Sequence, residues 1–384
     1  MKPWVGWMLG VGWLALLGIA AAVYLSVKPS NLQKASEVSE DLQDIKATFA
    51  AYDSTGADQS HMLLDHSPAV KTSPWLRSSK QPQSPYLFLI PFVMQDGIPL
   101  VSVRIMSQKS MFVCVADTGS MHLNVGASTC AKCTQQYGSF VPTEALQNAP
   151  EEPLHYGTQH DVVKQVADSI QLHTNGRTYS TPVHVAVRRE MAVSNYNVFG
   201  MLRDDTEGIS YAILKQNSSL LVRFAEPAGR IGGIDAVSAM RFEQRSSVVA
   251  RLIKSSAMGF YMVRLTGLWA GDDKIETTTQ LVIVDTGSNM TSFPKSTMRQ
   301  LRPKLKHMQA LTLELDGQAM RIQPKHLFWR NTSHLMLDDD LTVLGRNAQD
   351  YMILGCYCMQ GHQLLFKHDK LCIAPSHLGA IELM

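Results

Sequence analysis

The chain has 384 residues, enough for two hydrophobic cores when a domain takes about 150 residues. Its 35 Lys+Arg against 33 Asp+Glu leave a formal charge of +2, too small to draw nucleic acid or an acidic partner. No basic run with interleaved aromatics alters that exclusion.

After a short tail at residues 1–3, Trp4 to Val27 contains no charged side chain and is long enough to span a bilayer as helix. Trp4, Trp7 and Tyr24 stand near its ends, where amphipathic rings suit the membrane interfaces. Residues 4–27 therefore read as a transmembrane signal-anchor. The competing reading is a cleaved signal peptide, with Lys2 as the positive start and Ala20-Ala21-Ala22 as the cleavage site. Either reading carries the rest of the chain across a membrane, to the lumenal or extracellular side, tethered in one case and secreted in the other. Lys2 opposes Lys28 and Lys34, so charge favours a cytoplasmic N-terminus only slightly.

Residues 28–84 are rich in Ser, Lys, Asp, Gln and Pro and read as a stalk or propeptide-like linker. One helix is expected near Ser39 to Tyr52, with Ser39 as cap and Leu42, Ile45 and Phe49 on one face. Pro68, Pro74, Pro82 and Pro85 make the second half a poor candidate for regular structure.

From Tyr86 the texture changes to short apolar runs punctuated by Gly, Pro, Asn and Asp, the pattern of strands. Expected strands are Tyr86 to Val93, Leu100 to Met106, Met111 to Ala116, Ser169 to His173, Thr181 to Val187 and Leu220 to Phe224. Further runs occur at Phe260 to Leu265, Leu281 to Val284, Leu311 to Leu315 and Leu364 to Phe366. Helical patches here are few, the clearest being Ser210 to Gln216 and Pro294 to Leu305. A polar stretch from Arg241 to Arg251 suggests two lobes, 85–240 and 241–384.

Asp-Thr-Gly-Ser occurs in each lobe, as Asp117-Thr118-Gly119-Ser120 and Asp285-Thr286-Gly287-Ser288, separated by 285 − 117 = 168 positions. Each copy comes after an apolar run, Phe112 to Ala116 or Leu281 to Val284, suited to a buried strand. Two carboxyls brought together can share a proton and a water, one acting as base and the other as acid, because like charges so close cannot both ionise. Gly permits the tight loop in which amides reach the carboxylate. The Thr hydroxyl can lock the opposing loop, and Ser can hydrogen-bond the outer carboxylate oxygen. The chemistry needs no metal and no cofactor. No Gly-x-Ser-x-Gly occurs, so nucleophilic Ser chemistry lacks its signature. His122 and His155 lie near the motifs and are assigned no catalytic role.

Of six cysteines, Cys130 and Cys133 form a Cys-x-x-Cys pair. With no second pair or His pair at ligand spacing, zinc is disfavoured, and a short local disulfide is preferred over free thiols. Cys358 to Cys372 is one candidate bridge among several. Cys114 reads as a buried small hydrophobe. Asn217 and Asn331 begin usable N-glycosylation patterns; a third, at Asn289, abuts the second Asp-Thr-Gly-Ser and reads as accidental.

Across about residues 86 to 377 the chain resembles the pepsin-like, two-lobed aspartic proteases. Leu154 to Thr158 is similar to that family's flap hairpin, which makes Tyr156, with Gly157 and Thr158, the substrate-closing segment. Val198-Phe199-Gly200 and Ile353-Leu354-Gly355 are similar to the family's apolar-Gly segments beside each active loop, with Val343-Leu344-Gly345 competing for the second role. The segment Arg230 to Asp235 is similar to the end of the family's first half, and Cys130–Cys133 falls where many members carry a small disulfide loop. The resemblance implies a mainly β, bilobal acid protease fold, here preceded by the N-terminal helix, with Asp117 and Asp285 in a cleft between β-rich lobes. It also implies a monomeric aspartic endopeptidase acting on extended protein or peptide substrates, with apolar side chains flanking the cut. Three departures bear on it: Asn124 stands where the family commonly has Trp, Ala116 replaces a bulky residue, and the usual second-lobe disulfide has no counterpart. Asn124 keeps open a second reading, a membrane-tethered member that grips peptides without cutting them; a structural membrane protein is a third.

Overall fold

The structure is a computed structural model describing residues 86–382 except 96, 132, 134–136, 157–158, 175–176, 191–195, 203–218, 225–230, 238–239, 242–247, 254–259, 329–333, 340, 342–349, 368 and 376–380. All of these belong to one compact unit, Ser60–Met384. The anchor or signal peptide, the linker and its helix, the helix at 210–216, Asn217 and Asn331 lie outside the described residues. Among the described residues no helix is long and apolar enough to cross a membrane.

The first part of the chain forms β1 (Tyr86–Gln95), β2 (Ile98–Ile105), β3 (Met111–Asp117), β4 (Leu123–Gly126), β5 (Glu151–Tyr156) and β6 (Gln159–Thr174). Then come β7 (Arg177–Glu190), β8 (Asn197–Gly200), β9 (Ser219–Arg223), β10 (Ile231–Val237), β11 (Met240–Arg241) and β12 (Val248–Arg251). The second part forms β13 (Met262–Ala270), β14 (Asp273–Lys274), β15 (Leu281–Asp285), β16 (Thr291–Ser292), β17 (Leu311–Leu315) and β18 (Gln318–Ile322). It ends with β19 (Leu337–Asp338), β20 (Tyr351–Gly355), β21 (His362–Phe366), β22 (Lys370–Pro375) and β23 (Ile381–Glu382). The molecule is mainly β and is built on two large sheets.

A 13-stranded sheet runs β12-β22-β21-β9-β10-β1-β2-β3-β8-β4-β7-β6-β5, and a further β2–β6 pairing closes its β2-to-β6 portion on itself. An eight-stranded sheet runs β18-β17-β13-β15-β20-β16-β19, with β14 paired to β13. Alternation sets the packing, because successive side chains on a strand face opposite ways. Phe112, Cys114 and Ala116 enter the large core together with Phe92, Val101 and Val103. Val113, Val115 and Asp117 are therefore left to the other face of β3.

The first sheet crosses the expected 240/241 boundary. The polar stretch beginning at Arg241 contains β12, which pairs with β22, while β21 pairs with β9. Strands from both ends of the chain thus share one sheet, a non-local pairing that no local pattern announces. The runs at Ser169 to His173 and Thr181 to Val187 are pieces of β6 and β7, of 16 and 14 residues. Asp161, Lys164, Gln165 and Asp168 break the apolar pattern of β6, yet continuous pairing with β7 from Val163 to Thr174 holds the last three in strand, and pairing with Leu154 of β5 holds Asp161. The expected helix at Pro294 to Leu305 is Lys295–Leu301, with Pro294 as its N-cap.

Cys130 and Cys133 are joined as a disulfide. Cys114, Cys356, Cys358 and Cys372 are free and buried, so the candidate Cys358–Cys372 bridge is not formed. Cys372 instead packs with Leu221, Leu365 and Ala374 as a small hydrophobe.

Candidate active site

Asp117 is the last residue of β3, and Asp285 is the last of β15. Each strand has a parallel neighbour in the same relation: Asp117 stands opposite Gly200 of β8, and Asp285 opposite Gly355 of β20. Both glycines are needed for close approach. A Cβ on Gly200 would lie 2.5 Å from the Ser120 carbonyl oxygen, and one on Gly355 would lie 2.0 Å from that of Met290. Ile353-Leu354-Gly355 therefore occupies the second threading position, while its competitor 343–345 lies outside the described residues.

The two loops grip each other through their threonines. The Thr118 amide donates to Thr286 Oγ1 at 2.9 Å, and the Thr286 amide donates to Thr118 Oγ1 at 3.0 Å. Each hydroxyl then donates across to the opposite strand, Thr118 Oγ1 to the Val284 carbonyl at 2.9 Å and Thr286 Oγ1 to the Ala116 carbonyl at 2.7 Å. Both threonines are fully buried. Thr286→Val keeps the shape but leaves the Thr118 amide and the Ala116 carbonyl buried without these bonds, at about 1–3 kcal/mol each. Urea unfolding is expected to show a loss of about 2–5 kcal/mol for that variant and a far smaller one for Thr286→Ser, which retains the hydroxyl.

Within each loop the carboxylate is held the same way. The Gly119 amide donates to Asp117 Oδ1 at 2.7 Å and the Gly287 amide to Asp285 Oδ1 at 2.8 Å. Ser120 Oγ donates to Asp117 Oδ2, and Ser288 Oγ to Asp285 Oδ2 at 2.9 Å. The carboxyls are close enough to interact. Burial, then the negative charge of Asp285, then a hydrogen bond between the two carboxyls raise Asp117 well above the usual carboxylate range, against the opposing bonds from Ser120 and Gly119. Asp117 is buried and Asp285 half-buried. Among the described residues no cluster of three or more His, Cys, Asp or Glu could hold a metal ion.

The expected flap falls on a hairpin. β5 pairs with β6 from Glu151↔Lys164 to Tyr156↔Gln159, which leaves a two-residue connection at Gly157 and Thr158, outside the described residues. Asn124 lies fully buried in β4, in register with Ala186 of β7 and Val198 of β8. Ala116 is buried and serves through its carbonyl, which accepts the Thr286 hydroxyl, so its small side chain leaves the grip intact.

Cys356 carries no motif of its own, yet it sits directly after Gly355 and its Sγ donates to the Thr286 carbonyl at 2.9 Å. Burial, then the charges of Asp285 and Asp117, push this thiol well above its ordinary range, so it stays neutral beneath the second loop. Its position directly after the apolar-Gly segment is the one sequence signal that marks it.

No family model matches the sequence, and no curated protein does. In structure the chain is similar to the aspartic proteinase from Irpex lacteus, with a TM-score of 0.58 and 15% identity over 75% of this chain and 96% of that one. The fold is that of a two-lobed aspartic proteinase.

Proposed function

We propose that the protein is an aspartic endopeptidase whose dyad is Asp117 and Asp285. The observation that carries this reading is the reciprocal threonine grip, which holds two interacting carboxyls at the ends of matching strands. Like charges held this close resist ionising together. Asp117, the more buried of the two, is the proton's holder. In the proposed reaction the ionised partner takes a proton from water as it attacks the scissile carbonyl, and the protonated partner donates to the carbonyl oxygen. Nitrogen protonation and collapse of the tetrahedral adduct then release two peptides without a covalent enzyme intermediate.

Substrate enters the proposal as an extended peptide of several residues, paired to the β5–β6 hairpin as an added strand. A membrane tether at residues 4–27, with the lobes on the lumenal or extracellular side, belongs to the same proposal and is supported by sequence hydropathy. The test is incubation of the full chain, and of the chain from about residue 80, with a denatured protein from pH 3 to 7, with and without pepstatin. Pepstatin-sensitive cleavage is the expected result. Its absence at every pH from a folded sample leaves the non-catalytic peptide-binding reading in its place.

A further inference from the structure

At the base of the β5–β6 hairpin the pairing of β6 with β7 has a break in register. Val163 stands opposite Arg188 of β7, but Val162 stands opposite Glu190, so Arg189 is an extra residue on β7. Such a bulge bends its strand and re-aims the residues beyond it. At this step lie two deeply buried charged residues, Asp161 of β6 at 4% exposure and Arg188 at 2%, with Nη1 to Oδ2 at 3.8 Å. Arg188 is among the largest fully buried side chains of the molecule.

Arg188 reaches further than Asp161. Its Nη2 donates to the Tyr196 carbonyl, and its own carbonyl accepts the Ala127 amide at 2.9 Å. Next to Tyr196 is Asn197, the first residue of β8, whose side chain bonds the Gly126 amide at 3.0 Å and the Tyr137 carbonyl at 2.9 Å. β8 ends at Gly200, opposite Asp117. A run of bonded groups therefore leads from the base of the hairpin to the strand beside Asp117. On the outer side Arg189 pairs with Glu151 of β5, but both side chains are about half exposed (56% and 47%) and screened by solvent.

Burying two charges is unfavourable unless their geometry is fixed by partners, so a pair retained here marks a position where direction matters. We propose that Arg188 and Asp161 are positioning residues that pin the base of the β5–β6 hairpin to β7 and β8, and so fix how the hairpin is presented to a peptide substrate. This rests on the protease reading above. The Arg188–Asp161 pair acts through the hairpin; neither residue touches the reacting atoms.

The test compares wild type, Asp161→Asn, and the double replacement Asp161→Leu with Arg188→Met in the full chain. The double variant removes both charges and leaves no buried ion unpaired, so it retains the fold even if Asp161→Asn does not. The variants are expected to exchange amide hydrogens at residues 151–163 about tenfold faster, with β13 and β15 unchanged. The kcat/KM on an eight-residue peptide, measured well below each Tm, is expected to fall about 10- to 100-fold, the scale of an ångström-level misplacement. Lys304→Ala, which removes only the exposed ion pair with Asp273 in the second part of the chain, serves as the control and leaves both readouts at wild-type level. A lowered Tm with wild-type exchange and wild-type kcat/KM overturns the proposal and makes the pair a core contact only. Hydrogen exchange does not depend on cleavage, so a wild-type chain that cuts no peptide overturns the protease reading while the pinning is still decided by residues 151–163.

Discussion

Asp117→Asn is expected to reduce cleavage by about 10⁴-fold, the upper range for loss of a positioned general acid or base, while the melting temperature of the variant rises relative to wild type as pH increases. The two effects have one cause. Burial, followed by the charge of Asp285, holds the Asp117 carboxyl above its ordinary 3.8, so the folded chain keeps a proton that the unfolded chain releases. Where the folded state binds more protons, stability falls with rising pH. The contribution of Asp117 is full below 3.8 and is lost as pH rises from there through the elevated folded-state value. Asn is neutral throughout and undergoes no such loss, yet can still accept from the Gly119 amide. Melting curves of both proteins at half-unit steps from pH 3.5 to 7, beside cleavage of one peptide, make the check. A pH-independent difference in Tm would show that Asp117 is not held protonated. Asp285→Asn is expected to abolish cleavage equally, and activity surviving either change would place the chemistry elsewhere.

Gly287→Ala is expected to cost at least about 10²-fold in kcat, with about 1–3 kcal/mol of stability lost to overpacking. A Cβ on Gly287 would lie 2.4 Å from both Cγ and Oδ1 of Asp117. Neighbours that close must move. Asp117 has little room to do so, because Ser120 and the Gly119 amide hold its two oxygens and any retreat breaks one of those bonds. Gly119→Ala meets the other carboxyl, with its Cβ 2.8 Å from Asp285 Oδ1, and is expected to be the milder of the two. Peptide cleavage and urea unfolding measured on the same preparations separate the two losses. A folded Gly287→Ala protein with wild-type kcat would mean that the loops do not meet as described.

The glycines show why part of the site is legible in the chain. Each Gly of Asp-Thr-Gly-Ser sits where the opposite carboxyl excludes any side chain, so the requirement appears as a residue type at a fixed offset from Asp. Gly200 and Gly355 are legible for the same reason, since the backbone of the neighbouring loop fills the space beside them. The apolar runs before each Asp mark β3 and β15 because both strands are buried in cores that tolerate nothing else.

Long-range pairing left no such mark. β12 reads as polar connector because the charged and polar residues from Arg241 to Ser247 outweigh its short Val248-Val249-Ala250 run, and its partner β22 lies far along the chain. The full length of β6 is hidden by charged residues that stay extended through pairing with β7. Nothing in the adjacent Arg188 and Arg189 tells them apart along the chain, yet the fold encloses Arg188 while Arg189 faces solvent. Cys356 reads as one of a group of candidate disulfide cysteines, whereas its partner is the Thr286 carbonyl.

Residue order alone specifies local chemistry: which carboxyls, which hydroxyls to hold them, which glycines to let the loops approach, and which runs to bury. These are properties of a residue and its near neighbours, and they repeat 168 positions apart because two matching loops need the same parts. How those parts act on one another is set once the chain has folded. Asp117 is raised because burial and then the charge of Asp285 reach it from other parts of the chain, and Asp161 meets Arg188 because two long strands fold side by side. Coulomb energy and desolvation depend on distance in space rather than along the chain, so they arise only when the sheets have closed.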